Sequence, residues 1–280
     1  MTTSFEHVAI VGLGLVGGSL ARDLSALGVR VSGYDSDATQ LAAAVRMNVV
    51  ASALDDTLDG IQRADIVVIA TPVDAALEIL RRIAVTVARV PLITDVGSTK
   101  TRIVEVARTL GLADRFVGSH PMAGDHRSGF DASRAGLFVD APVYLCANRE
   151  ATADALELAA SLWKRINARP ERMAAEQHDL KLAWTSHLPH MVSTALALSL
   201  ARARVHRTFL GPGGRDVTRL AGSSPEMWTA IAIENAPALD AALARMEREL
   251  ATLRSSIKRA DQEDLRGRFA AARTWFDESG

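Results

Sequence analysis

Val8-Ala-Ile-Val-Gly12-Leu-Gly14-Leu-Val-Gly17-Gly18 opens the chain's first structured stretch. Four apolar residues run into closely spaced glycines, as a short buried strand runs into a turn, and a helical pattern follows. In G-x-G-x-x-G the first glycine allows the tight turn and the second lets a pyrophosphate approach the backbone. The third allows the helix to pack close to the strand, and the phosphates rest on the helix N-terminus. Gly12, Gly14, Leu15, Val16 and Gly17 are therefore candidate dinucleotide-binding positions. A second check is an acid closing the next strand about 20 residues on. Asp35 stands there, after Val29–Tyr34. Its carboxylate suits ribose hydroxyls and repels a 2′-phosphate, which selects NAD over NADP.

Outward from that loop, the first half of the chain alternates short apolar runs with longer helical patterns. Val8–Val11, Val29–Tyr34, Ile66–Ala70, Leu92–Val96, Phe116–Gly118 and Val143–Ala147 read as strands. Gly17–Leu27, Thr39–Met47, Asp74–Ala88 and Thr99–Leu110 read as helices, and a further helix lies near Ala151–Lys164. The pattern predicts a parallel sheet covered on both faces. Thr71 and Pro72, at the end of the third run, should line the cofactor crevice. After a short extended piece at 168–173 the chain reads as helices, broken at Gly211–Gly214 and Ser223–Pro225. The expected organisation is an α/β Rossmann dinucleotide-binding domain over 1–170 and an all-α domain over 171–280. Leu239, Leu243, Met246, Leu250, Leu253 and Ile257 repeat every 3.5 residues, the seam of a shallow helix pair, either within one chain or between two.

Composition narrows the function classes. The 280 residues hold 32 Lys plus Arg against 33 Asp plus Glu, a net charge of -1 that offers no field for nucleic acid or anionic lipid. No apolar run reaches the roughly 18–20 residues of a membrane span. Val8–Leu20 lacks the basic leader of a signal peptide. A lone cysteine, Cys146, suits a reducing compartment. These features predict a soluble, cytoplasmic protein.

Chemistry-bearing residues gather where strands end. Asp95-Val-Gly97-Ser98-Thr-Lys100 follows one strand and His120-Pro-Met-Ala-Gly124 follows another, both at the edge where a nicotinamide would sit. A histidine there can take a hydroxyl proton while hydride leaves the same carbon. Ser98 can fix its imidazole or share the substrate hydroxyl. His187 and His190, three apart, lie near one helix face, and Pro189 between them should bend that helix. His178-Asp179 hints at a metal pair, but no further ligands stand at suitable spacing, so no metal is expected and His178 reads as a surface or cap residue. Lys100 reads as solvated. Taken alone, Arg219 is suited equally to gripping a carboxylate and to a structural salt bridge.

Taken together, Gly12-Leu-Gly-Leu-Val-Gly-Gly-Ser, Asp95-Val-Gly-Ser-Thr-Lys, Gly118-Ser-His-Pro-Met-Ala-Gly, His178-Asp, Ser186-His-Leu-Pro-His190 and Asp216-Val-Thr-Arg219 with Pro225-Glu-Met-Trp228 resemble the prephenate/arogenate dehydrogenase family of tyrosine biosynthesis. The resemblance covers nearly the whole chain. It implies a helical C-terminal domain that forms a homodimer, and NAD-dependent oxidative decarboxylation of prephenate or arogenate. By the same resemblance His120 and Ser98 are catalytic. Arg219 holds a substrate carboxylate, and His187 and His190 orient substrate and cofactor. Many members carry an acid two positions after the glycine of the His-Pro-Met-Ala-Gly motif and others a histidine; here the run is Gly124-Asp125-His126, which puts Asp125 and His126 at the substrate gate. An ammonium-bearing arogenate would want a carboxylate there, and the reading leans to prephenate. No room is left before Gly280 for the regulatory or mutase domains of some members, so any feedback by tyrosine should act at the active site. Two rivals differ in class: a β-hydroxyacid dehydrogenase using Lys100 or a later lysine, and a non-catalytic NAD-binding sensor.

Overall fold

The glycine loop joins β1 (His7–Val11) to α1 (Leu15–Ala26) in a computed structural model that describes residues 4–124 and 127–278. There follow β2 (Arg30–Tyr34), α2 (Ala38–Arg46), β3 (Ser52–Ala53), β4 (Ile66–Ile69), α3 (Val73–Ile83), β5 (Leu92–Asp95) and α4 (Thr101–Thr109). The five strands form one parallel sheet in the order β3-β2-β1-β4-β5. Every residue of β1 and β4 is buried because helices cover both faces. Val8, Ile10, Ile66 and Val68 face one core, while Ala9, Val11, Val67 and Ile69 face the other. That alternation is the period of two that a pleated strand imposes.

Beyond α4 the chain departs from the expected single sheet. Phe116 makes only an isolated bridge to Ile93, and the strand lies further on, as β6 (Gly118–Pro121). It pairs antiparallel with β7 (Pro142–Cys146), which after α5 (Ala153–Arg165) pairs parallel with β8 (Arg169–Met173). The correction matters for chemistry, because His120 sits inside a strand opposite Tyr144 and not in a loop after one. Trp163 on α5 is fully buried and donates to Ser119 Oγ at 2.9 Å, and Ser119 in turn bonds Thr94 Oγ1 at 2.8 Å. This polar thread through the core pins β6 beside β5.

Helices α6 (Ala175–Leu182), α7 (Leu188–Arg202), α8 (Pro212–Val217) and α9 (Pro225–Glu234) complete the first compact unit, Met1–Asn235. A π-helical turn over Ala183–His187 separates α6 from α7; the backbone stays helical across it, so Pro189 lies within a continuous helix next to the wide turn. Gly213 and Gly214, expected to break the helices, lie inside the short α8. Ser224 caps α9 as its sequence foretold, accepting from Met227 N.

The second unit, Ala236–Gly280, holds α10 (Ala236–Lys258) and α11 (Gln262–Glu278). Arg268 joins them, 2.9 Å from Asp264 and 3.7 Å from Glu249. The apolar seam of α10 is not fully covered: Leu250 is 52% and Ile257 65% exposed, and Phe269, Trp275 and Phe276 of α11 are exposed too.

Gly17 tests the packing argument directly. A Cβ built there would lie 2.0 Å from the carbonyl oxygen of Gly12, which is backbone and cannot rotate away. Gly17→Ala should cost about 1–3 kcal/mol, as overpacking does, and lower the urea midpoint accordingly. An unchanged midpoint would mean that the loop relaxes freely.

Candidate active site

Gly12 turns the chain at φ 98°, and a Cβ there would meet Ala70 O at 2.5 Å. Around Gly14, by contrast, nothing lies within 4 Å of where a Cβ would be. Gly14 is the N-cap of α1 and offers no side chain to its first amides. Those free N–H groups, the open space over Gly14 and the helix dipole together fit a pyrophosphate. Leu15 and Val16 occupy the first turn, and Thr71 packs against Gly12. Exposed Pro72 caps α3 at the same edge.

Asp35 ends β2 half-buried. One oxygen accepts from Leu13 N at 2.7 Å and the other from Asp37 N at 2.9 Å. It is thus a structural anchor of the glycine loop.

Across the edge, Lys100 was expected in solvent, yet it is entirely buried and paired with the equally buried Asp95. Asp95 also accepts from Gly97 N at 2.8 Å, which folds the β5–α4 loop holding half-buried Ser98. Burial raises the Asp95 carboxyl above its usual range, against the pull of Lys100. His178 is the second correction. It is fully buried, its Nε2 is 2.8 Å from His120 Nδ1, and its Nδ1 is 2.8 Å from Asp179 Oδ1. Asp179 also accepts from Lys100 N at 2.9 Å and Thr101 N at 2.8 Å. Burial works against its charge, but the bonds from His178, Thr101 and Lys100 outweigh it and hold the carboxyl below its ordinary value.

The helical side of the first unit supplies the remaining imidazoles. Asn235 donates through one Nδ2 to Asp179 O at 2.9 Å and to His187 Nδ1 at 3.0 Å. A carbonyl can only accept, so the amide orientation is forced, His187 Nδ1 is an acceptor and its Nε2 carries the proton. His190 Nδ1 is 3.1 Å from Ser186 O, which makes it the donor and leaves its Nε2 bare. The His190 ring stacks on Trp228 at 3.5 Å. Arg219 is exposed on a 3-10 turn, Arg219–Gly222, and its charge reaches His190. It also lines a cleft of about 690 Å³ with Arg204, Arg207 and Leu210, and that cleft includes neither Ser98 nor His120. Asp125 and His126 lie outside the described residues.

Burial holds His120 well below the ordinary histidine value, with His178, Lys100 and His187 acting in the same direction against Asp179. Burial likewise lowers His178 and His190, and pushes His187 down to about 4. The cluster is therefore neutral at neutral pH, as a general base must be. Cys146, pushed up to about 12 by burial, stays an inert thiol. Among the described residues no group of three His, Cys, Asp or Glu side chains is placed to hold a metal ion. Sequence reading missed Lys100, His178 and Asn235 as members of the site; only the proximity of His178 to Asp179 in a known motif could have pointed to one of them.

Residues 20–171 match the family model described as prephenate dehydrogenase, nucleotide-binding domain, and residues 174–271 match its dimerization domain. The chain is 34% identical to the prephenate dehydrogenase of Bacillus subtilis (strain 168), over 97% of this chain and 76% of that one. It is 36% identical to the cyclohexadienyl dehydrogenase of Zymomonas mobilis, over 94% and 92%. Its fold matches the prephenate dehydrogenase of Aquifex aeolicus, solved in complex with hydroxyphenyl propionate and NAD+, with a TM-score of 0.91 and 29% identity over 100% of both chains.

The depressed imidazoles have a consequence for stability. An unfolded histidine takes its proton near pH 6.5, the folded His187 only near pH 4. Between those values the unfolded chain binds more protons, so this stabilisation is complete above about pH 6.5 and is lost as pH falls towards 4. The urea midpoint should fall across that window, and His187→Asn, which keeps an acceptor for Asn235, should flatten the fall. Equal slopes in both proteins would remove His187 from the titration.

Proposed function

The chain belongs to the prephenate dehydrogenase family, and we infer that it catalyses NAD-dependent oxidative decarboxylation of prephenate to 4-hydroxyphenylpyruvate, a step of tyrosine biosynthesis. The observation that carries this reading is the buried His120 on β6, whose Nδ1 lies 2.8 Å from His178 Nε2 and whose imidazole is kept neutral by burial. Bound on Gly12, Gly14, Leu15, Val16, Gly17 and Asp35, with Thr71 and Pro72 alongside, NAD supplies the acceptor for the hydride of the ring carbinol carbon. His120 takes the hydroxyl proton, and Ser98 hydrogen-bonds the same hydroxyl. Loss of the ring carboxylate as carbon dioxide follows, driven by aromatisation.

His187, with its proton on Nε2, suits a substrate carboxylate, and His190 orients substrate and cofactor beside it. Arg219 grips the second carboxylate. The dinucleotide-binding domain is assigned to 1–170 and the helical domain to 171–280. Exposed Leu250, Ile257, Phe269 and Phe276 on α10 and α11 support a homodimer through the C-terminal helices. Tyrosine, sharing the product's ring, would act as an active-site inhibitor. No described helix is long and apolar enough to cross a membrane. With a single, buried cysteine, the chain suits the cytoplasm.

The arogenate reading draws on the similarity to the cyclohexadienyl dehydrogenase of Zymomonas mobilis. Prephenate is favoured because Asp179, the carboxylate whose charge reaches His120, is engaged by two backbone amides and His178. It is not free to meet an ammonium.

Purified protein with NAD should form reduced cofactor on addition of prephenate and much less with arogenate. The reverse preference would make Asp125 and His126 the residues to mutate. Silence with both substrates would return the protein to the sensor or hydroxyacid readings. His120→Asn should lose about 10²–10⁴ in kcat with little change in KM, and an unchanged kcat would take His120 out of the mechanism. Asp35→Asn keeps an acceptor for Leu13 and removes the charge, so the ratio of NAD to NADP efficiency should shrink. A ratio that stays put would mean some other group excludes NADP.

A further inference from the structure

A base needs its lone pair on the nitrogen that faces substrate, and a neutral histidine can place it on either. The described bonds decide the matter one ring at a time. Asp179 is a carboxylate and can only accept, from Lys100 N, Thr101 N and His178. His178 Nδ1 must therefore carry a hydrogen. Its ring is buried and singly protonated, so its Nε2 is bare and accepts. Among the described residues His120 Nδ1 lies there, at 2.8 Å, with the two rings inclined at 68°. That nitrogen must then be the donor.

We propose that His178 and Asp179 are positioning residues for the base: together they hold His120 as the Nδ1–H tautomer and leave its lone pair at Nε2. The proposal rests on the reading of His120 as the base. Its logic is that of a serine protease's buried aspartate, which fixes a histidine tautomer, with a second imidazole interposed. The direction of the chain depends on His178 holding one proton. A doubly protonated His178 would donate at Nε2, turn His120 to the Nε2–H form and silence the base. The groups facing His178 bear on this choice. Lys100 and burial disfavour a second proton, Asp179 and Asp95 favour it, and Tyr144 meets the ring edge-on at 5.7 Å. When the substrate hydroxyl gives its proton to His120 Nε2, the O–H bond breaks and an N–H bond forms. The resulting imidazolium already points its Nδ1–H at a bare nitrogen backed by a carboxylate, so no further transfer is required.

Ring-nitrogen magnetic resonance of ¹⁵N-histidine-labelled full-length protein with NAD reads the tautomer, with His120→Asn assigning the signals. The wild type should show hydrogen on His120 Nδ1 and none on Nε2. His178→Leu removes the acceptor and should populate the other tautomer, lowering kcat about 10–100-fold, the usual cost of losing an orienting partner, while KM holds. His178→Gln places an amide oxygen where Nε2 was, and should restore both the Nδ1–H signature and most of kcat. Should His178→Leu fail to fold, Asp179→Asn, which keeps an acceptor for Thr101, should populate both tautomers of His120. An Nε2–H His120 in the wild type, or a His178→Leu enzyme with unaltered tautomer and kcat, would overturn the proposal. The expected tautomers in a protein that turns over no cyclohexadienol would sink the functional reading and leave the positioning role standing.

Discussion

The carboxylate of Asp179 accepts the first amides of α4 and the ring of His178, and the geometry of the site hangs on that convergence. Helix α4 begins at Lys100, a residue whose side chain cannot cap. The capping oxygen comes instead from α6, about 80 positions along the chain. Orphan amides and the positive end of the helix dipole give that oxygen a charge-assisted bond of the stronger kind. Its own backbone carbonyl is held by Asn235, which in turn fixes His187. One residue thus ties the sheet edge to the helical side and aligns two imidazoles.

Relieved of capping by its side chain, Lys100 turns inward to Asp95. A buried ion pair is weak evidence of stability, since desolvating both charges costs about what their attraction returns. Its use here is positional and electrostatic. It closes the β5–α4 loop through the Asp95–Gly97 bond, and it lays a fixed positive charge beneath the imidazole cluster. That charge helps keep His120 and His178 unprotonated.

The parts that could be read from the sequence are those whose cause is local. Gly17 needs its position because of a backbone atom five residues away, Gly12 turns the chain at a positive φ, and Asp35 closes a strand whose pattern is plain. Ser224 before Pro225 announces a helix start by itself. Lys100 and His178 could not be read, because a lysine in a helix's first turn and a histidine beside an aspartate are usually solvated, and only tertiary partners reverse that. The second sheet was hidden for a related reason: β6 is four residues long, contains a proline and carries a histidine, so its strand character comes from pairing with β7 and not from its own composition. Asn235 gave no signal, being an ordinary helix-ending residue until His187 and the carbonyl of Asp179 are placed beside it.

The π turn at Ala183–His187 amounts to one inserted residue in an otherwise continuous helix. At about 100° per residue, nine α-helical steps from His178 to His187 would set the two on opposite faces, about 180° apart. Absorbing one residue in the wide turn swings everything after it by about 100°, back towards the side of His178. The facing of the two histidines therefore depends on the wide turn and not on their individual contacts. Straightening that turn with every residue kept would carry His187 and His190 about 100° away from His178, whereas losing one residue from 183–186 would leave a regular helix with both still on that side. The irregularity works as a register shift, and a lineage could re-aim these histidines by closing the wide turn without exchanging either of them.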